Sequence, residues 1–150
     1  MSRIFTKNNI FLNEDLKTQD DVLRYVASKA QELQIGTKDV VYQAFKQREV
    51  AASTGMQDGI AMPHAISEEI KRAAVIYVGL EKPLNDWMTF DDTKVDKIIA
   101  MLVPSDGTKK HLEIISEFAT SLVDEEKRKK LSKLNTVEAV YDFLKINEEE

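Results

Sequence analysis

Residues 73–80 have the sequence AAVIYVGL and form the longest uninterrupted apolar run of the chain. Their valine, isoleucine and tyrosine side chains favour a strand, and a run without polar alternation is typical of a strand covered on both faces. Residues 95–103, VDKIIAMLV, have the same character and are followed by Pro104. We therefore predict two strands between layers of helices, which places the chain in the α/β class.

Amphipathic helices flank these two strands in the sequence. A Ser/Thr-x-x-Asp/Glu start signal precedes residues 19–34, whose apolar residues have helical spacing. Thr37 caps a second predicted helix, Thr108 opens a long third one, and Thr136 caps the last. Residues 10–12 form a short apolar run that we interpret as an edge strand.

Composition indicates an acidic globular domain. The 150 residues carry a net charge of −5, which argues against nucleic-acid binding because that requires a basic surface. We expect one domain over residues 1–150, with a disordered acidic tail at 147–150. No apolar run has the length of a membrane span or a signal peptide, so we expect a cytoplasmic location without direct membrane insertion. The absence of cysteine excludes thiol nucleophiles and cysteine-ligated zinc on this chain.

Residues 53–65, STGMQDGIAMPHA, contain the most informative chemistry. Their glycines and proline oppose a helix, so we predict a loop that leads into a short strand at 60–62. His64 follows Pro63, whose ring restricts the backbone, at the point where the apolar stretch emerges from the loop. A histidine held in this way is a candidate for chemistry, and a partly buried structural histidine is the alternative.

Other common catalytic and metal-binding motifs are missing from the sequence. It contains neither a phosphate-binding P-loop nor a GxSxG nucleophile elbow. His64 and His111 are the only histidines and lack the close spacing of a metal-binding pair. We therefore predict no metal site.

The segment that begins with Arg48-Glu49 and continues through STGMQDGIAMPHA resembles the active-site segment of a known family. The family is the enzyme IIA domains of the bacterial phosphoenolpyruvate-dependent sugar phosphotransferase system, fructose–mannitol class, which also includes a nitrogen-regulatory type. His111, near the start of a helix, follows in the family's order, and the resemblance covers about residues 10–146. Met62 and Gln57 depart from the family's usual residues. The resemblance implies a mixed β-sheet of about five strands with helices packed on both faces, in a single layered domain.

The resemblance also implies a phosphotransferase component that works as a histidine phosphocarrier. His64 would accept a phosphoryl group from HPr and pass it to a cysteine of enzyme IIB for coupled sugar uptake and phosphorylation. Because this chain has no cysteine, we expect enzyme IIB on a separate chain. Neutral imidazole has the lone pair that such a transfer needs, and the scheme requires no cofactor and no metal. The alternative is a nitrogen-type regulatory enzyme IIA that acts by phosphorylation-dependent protein binding.

A phosphoryl group adds about −1.5 to −2 charges, which local donors must offset on an acidic chain. The resemblance places a second histidine, His111, beside the carrier. Arg48 is the next candidate because a guanidinium matches phosphate oxygens. A surface or capping role for His111 and a helix C-cap for Arg48 are the alternatives. Further candidate phosphate ligands are the hydroxyls and loop amides of Ser53, Thr54 and Gly59.

Two further charged features have a structural interpretation. Asp58 could activate His64, but an aspartate beside a glycine is more often a turn former. The basic run at residues 127–130 follows acidic residues, an order that suits a helix dipole. We predict that this run is a solvated helical face and not an anion site.

Overall fold

The computed structural model describes residues 4–105 and 109–145, apart from the side chains at positions 110–112, 114 and 115. The strands are β1 (Ile10–Glu14), β2 (Ile60–Ala61), β3 (His64–Ser67), β4 (Ala74–Leu84) and β5 (Val95–Pro104). The helices are α1 (Gln19–Glu32), α2 (Lys38–Ala51), α3 (Lys109–Ser121), α4 (Glu125–Leu131) and α5 (Val137–Leu144). Among the described residues, none of the helices is both long and apolar enough to cross a lipid bilayer.

The strands form one mixed sheet in the order β1-β4-β5-β2. The central strands β4 and β5 are antiparallel, whereas β1 runs parallel to β4. Both β2 and β3 run parallel to β5 and pair with successive parts of it, Ile60 opposite Lys97 and His64 opposite Met101. They therefore form one edge strand that is interrupted before His64, where Pro63 has no N–H to contribute to the ladder.

Helices cover both faces of the sheet. On one face, α1 and α2 pack through Val26 and Phe45 against residues that include Ile76 and Ile98. On the other face, Phe118 of α3 and Val140 of α5 lie in a second buried cluster, together with Leu131 of α4. The predicted α/β class, and the mixed five-stranded sheet with helices on both faces, are confirmed.

Most predicted elements occur close to the expected places. Thr136 caps α5 by accepting the Ala139 N–H at 3.1 Å, and Thr18 caps α1 in the same way. Thr37 has the N-cap position of α2, but its side chain makes no capping hydrogen bond. β4 extends beyond the predicted end at Leu80 across an irregular stretch that contains a proline.

One expectation is wrong at one position, and two others concern residues outside the described part of the chain. The basic run is not entirely solvated: Arg128 is 6% exposed because its guanidinium binds Asp58 and two main-chain carbonyls. The prediction of a solvated face is therefore wrong at that position. The helix start predicted at Thr108 and the acidic tail at 147–150 lie outside the described residues.

Candidate functional site

Residues 54–62 form a tight β-hairpin that leads directly to His64. Asp58 and Gly59 have φ angles of 56° and 78°, the left-handed pair that a type I′ turn requires. The predicted loop is therefore a hairpin, and Asp58 is a turn former. Three backbone hydrogen bonds join its two arms. The Met56 N–H donates to Ile60 O (2.8 Å), the Ile60 N–H to Gln57 O (3.2 Å), and the Met62 N–H to Thr54 O (3.0 Å).

Glu49 fastens the base of this hairpin to the two helices beside it. Its carboxylate accepts the Thr54 N–H at 3.2 Å and also the Thr54 hydroxyl. The Gln19 side-chain amide of α1 donates to the same carboxylate at 3.3 Å. Our sequence reasoning missed this role, although the short spacing between Glu49 and Thr54 was the available signal.

The segment 86–93 supports the outer arm of the hairpin. The Ser53 hydroxyl donates to Met88 O at 2.7 Å, and the Phe90 N–H donates to Met56 O at 2.8 Å. A Cβ atom on Gly55 would lie 2.0 Å from Met88 O, so this close approach requires glycine. The hairpin therefore has little freedom to move relative to this segment.

Side chains from two other parts of the chain hold the tip of the hairpin. Arg128 Nε donates to Asp58 Oδ2 at 2.7 Å. The Asp58 N–H donates to the Asp91 carboxylate at 3.0 Å, and this bond lowers the pKa of Asp91. The Gly59 N–H donates to the Thr93 hydroxyl, also at 3.0 Å. Both amides of the turn are therefore already paired within the protein.

His64 is half-buried at the first position of β3. Its partner Met101 packs on the face covered by α3, α4 and α5, and paired residues of neighbouring strands project to the same face. Burial lowers the pKa of His64 below its usual 6.5, and the positive charge of Arg48 lowers it further. The imidazole is therefore predominantly neutral at physiological pH, as a nucleophile requires.

Arg48 makes the helix-capping contact that was one of its two interpretations, and its role toward phosphate remains a prediction. Its Nη1 donates to Ala52 O at 2.7 Å, which satisfies a carbonyl at the end of α2. Its charge also acts on His64. Arg48 therefore caps the helix while its charge remains within electrostatic range of His64.

The other predicted phosphate ligands, Ser53, Thr54 and Gly59, already make hydrogen bonds within the protein. Ser53 and Thr54 lie at the base of the hairpin, but both hydroxyls donate to groups of the protein itself. The partners of Ile60 and His64 are four residues apart on β5, so about 13 Å separates these two positions along the edge. Gly59 lies farther still from His64, and its amide is paired with Thr93.

His111 belongs to the first turn of α3, which follows β5. Its side chain lies outside the described residues, so its role remains a prediction. In the described part of the chain, no three His, Asp or Glu side chains form a group that could hold a metal ion.

Comparison with known proteins places this arrangement in a family. Residues 3–147 match the family model "Phosphoenolpyruvate-dependent sugar phosphotransferase system, EIIA 2". The chain is 37% identical over 106 residues to the nitrogen regulatory protein of Escherichia coli K12, a match that covers 70% of this chain and 64% of that relative. It is 31% identical over 144 residues to the mannitol-specific phosphotransferase enzyme IIA component of Staphylococcus aureus, covering 93% and 94% of the two chains.

Solved structures share the fold. Nitrogen regulatory protein IIA-Ntr from Neisseria meningitidis superposes with a TM-score of 0.84 at 23% identity, covering 94% of this chain and 96% of that one. The Escherichia coli complex of enzyme IIA mannitol with phosphorylated enzyme IIB mannitol contains a chain that matches with a TM-score of 0.77 at 20% identity, covering 93% and 96%. Because nearly the whole length matches the family model, this chain belongs to the EIIA family of the phosphoenolpyruvate-dependent sugar phosphotransferase system.

Proposed function

We propose that this chain is a phosphoryl carrier and that His64 is the residue that becomes phosphorylated. HPr supplies the phosphoryl group, and a cysteine of an enzyme IIB protein on a separate chain accepts it for coupled sugar uptake. The observation that supports this proposal most directly is the position of His64, half-buried at the start of β3 and within electrostatic range of Arg48, whose charge lowers the pKa of the imidazole after burial does. Membership of the EIIA family supports the class of reaction.

Each bond formed in the transfer is matched by a bond broken, and neither step needs a metal or cofactor. A ring nitrogen of His64 forms a P–N bond with its lone pair as the P–N bond of the donor phosphohistidine breaks. The electron pair of the broken bond remains on the donor imidazole. In the second step the cysteine thiolate forms a P–S bond, and the imidazole of His64 leaves with its electron pair. Arg48, and in this proposal His111, offset the charge on the phosphoryl oxygens.

The surface around the hairpin that leads to His64 is suited to protein partners. Val50, Met88 and Phe90 are 83%, 77% and 76% exposed, and Met88 and Phe90 belong to the segment bonded to the hairpin. Met88 and Phe90 are two residues apart, and large apolar side chains exposed close together are typical of a protein-docking surface. They favour donors and acceptors that are proteins over a free small phosphate donor.

A nitrogen-type regulatory role is the second candidate. The 37% identical Escherichia coli relative is a nitrogen regulatory protein, although the matching region spans just under two thirds of its length. In this role His64 is still phosphorylated, but the phosphorylation state changes the binding of a target protein and no sugar is phosphorylated.

The test is incubation with phosphoenolpyruvate, enzyme I and HPr, followed by intact mass and 31P NMR spectra. We expect one phosphoryl group with the acid-labile, base-stable behaviour of phosphohistidine, no labelling of His64→Gln, and slower labelling of His111→Gln. Full labelling of His64→Gln would contradict the proposal. Transfer to purified enzyme IIB proteins then distinguishes the two candidates, because the regulatory role predicts retention of the phosphoryl group on His64.

A further inference from the structure

Arg128 is a buried cation without a role in the proposed phosphoryl transfer. It is 6% exposed, whereas its neighbours Lys127 and Lys129 are exposed. Its Nε donates to the carboxylate of Asp58 at 2.7 Å, and its Nη1 donates to the carbonyls of the two residues that follow α3, Leu122 (3.1 Å) and Val123. One guanidinium thus joins the hairpin tip to the end of α3.

Helix α3 connects the Arg128–Asp58 pair to the part of the sheet that contains His64. Near the end of β5, the Ser105 N–H donates to Ser67 O, the last residue of β3, and α3 begins four residues later. Its 13 residues span about 20 Å. The helix therefore starts near the His64 end of the sheet and returns to the hairpin tip. Its first turn contains His111, and Arg128 binds the two residues that directly follow its last turn.

Directed hydrogen bonds at the end of α3 add to apolar packing in restraining this helix along its own axis. Phe118 and Leu122 are buried between α3 and the sheet, but hydrophobic attraction is non-directional. A guanidinium fork has fixed donor directions, so its bonds resist sliding. We infer that Arg128, paired with Asp58, is a positioning residue that sets the axial position of α3 relative to β3.

This inference rests on the proposed function for its effect on the reaction. Displacing reacting groups by 1 Å can cost about 100-fold in rate. Arg128→Lys keeps the charge but loses the fork, so we expect kcat for phosphorylation of His64 to fall about tenfold or more. KM for phosphorylated HPr should change less than twofold, because the guanidinium is buried. Asp58→Asn keeps a residue that tolerates the left-handed turn and should have a similar effect.

Kinetics of these variants, with Lys127→Met as the matched control, test the effect on the reaction. We expect Lys127→Met to have the kcat of the unchanged chain, and Asp58→Asn combined with Arg128→Lys to lose less than the product of the single losses. Unchanged kcat in both single variants, or a loss in KM alone, would overturn the inference. If the unchanged chain is not phosphorylated, the proposed function fails instead.

The helix position can be measured independently of phosphorylation. The chain contains no cysteine, so spin labels can be placed on Ile66→Cys in β3 and Glu117→Cys in α3, both exposed positions. The second label lies away from the start of α3, so sliding of the helix changes the distance between the labels. We expect Arg128→Lys to shift or broaden the distance distribution by about 1 Å, the displacement invoked above. An unchanged distribution would overturn the inference whether or not His64 accepts phosphate.

Discussion

Replacing Glu49 by alanine should release the base of the hairpin that leads to His64. The carboxylate accepts two hydrogen bonds from Thr54 and one from Gln19. Thr54 is only 6% exposed, so water does not readily replace the lost acceptors. Hydrogen bonds to charged groups contribute about 1.5–3 kcal/mol each. Because the two Thr54 bonds share one carboxylate, we expect the free energy of unfolding to fall by about 3 kcal/mol in total.

A graded series separates the contributions. Glu49→Gln keeps one acceptor oxygen at the same length, and it should lower the free energy of unfolding by about 1 kcal/mol. Thr54→Val removes the hydroxyl but leaves the backbone N–H. The double variant Glu49→Ala with Thr54→Val should cost about 1 kcal/mol less than the sum of the two single changes, since they share one bond. Urea denaturation near neutral pH measures each value.

Two results would refute this reasoning. The first is a Glu49→Ala variant whose free energy of unfolding lies within about 0.5 kcal/mol of the unchanged chain, the range of an ordinary surface substitution. The second is full additivity in the double variant. Glu81→Ala, which removes an exposed carboxylate from β4, is the matched control and should stay within that range.

The other predictions concern the site and its support. The rate of His64 phosphorylation should be constant near neutral pH and fall on acidification with an apparent pKa below 6.5, because burial and then Arg48 disfavour the protonated ring. Arg48→Gln should raise the pKa of His64 in an NMR titration; an unchanged value would remove Arg48 from the site. Because folding lowers this pKa, the stability linked to His64 is complete above pH 6.5 and is lost as the pH falls through the folded value. Gly55→Ala should lower the free energy of unfolding by about 3 kcal/mol, because the new Cβ would lie 2.0 Å from Met88 O. In the control Gly79→Ala, the new Cβ lies 3.2 Å from a flexible methyl group, and the cost should stay under about 1 kcal/mol. Equal thermal denaturation midpoints for the two variants would contradict this prediction.

The sequence predicts an element of the fold correctly where its local residue pattern matches the burial of that element. The run at 73–80 has no polar alternation because helices cover both faces of β4, so its residue types alone predict a strand. Thr136 marks the start of α5 because its hydroxyl bonds three residues ahead, a purely local event. The mixed strand order came from the family resemblance, since residue patterns do not determine which strands are neighbours.

The site was readable only in part, for the same reason. His64 could be selected because Pro63 and the glycines around it constrain the backbone within a few residues. Sequence analysis missed β3 because its four residues are too few to show a clear alternation of apolar and polar side chains. Its strand conformation depends on pairing with β5.

Contacts between residues distant in sequence determine which basic residue of the 127–130 run is buried, and the local pattern does not. Arg128 is 70 residues from Asp58, and in the sequence it is one of four consecutive basic residues with nothing to separate it from the others. The fold separates them, because only a side chain that projects from α4 toward the hairpin turn can reach both the Asp58 carboxylate and the carbonyls at the end of α3. A buried cation must be paired to be tolerated, so the position of Arg128 depends on a turn whose left-handed aspartate offers its carboxylate to α4. The chemistry at His64 is thus specified locally, whereas the support of the hairpin that leads to it is specified by contacts that form only when the whole domain has folded.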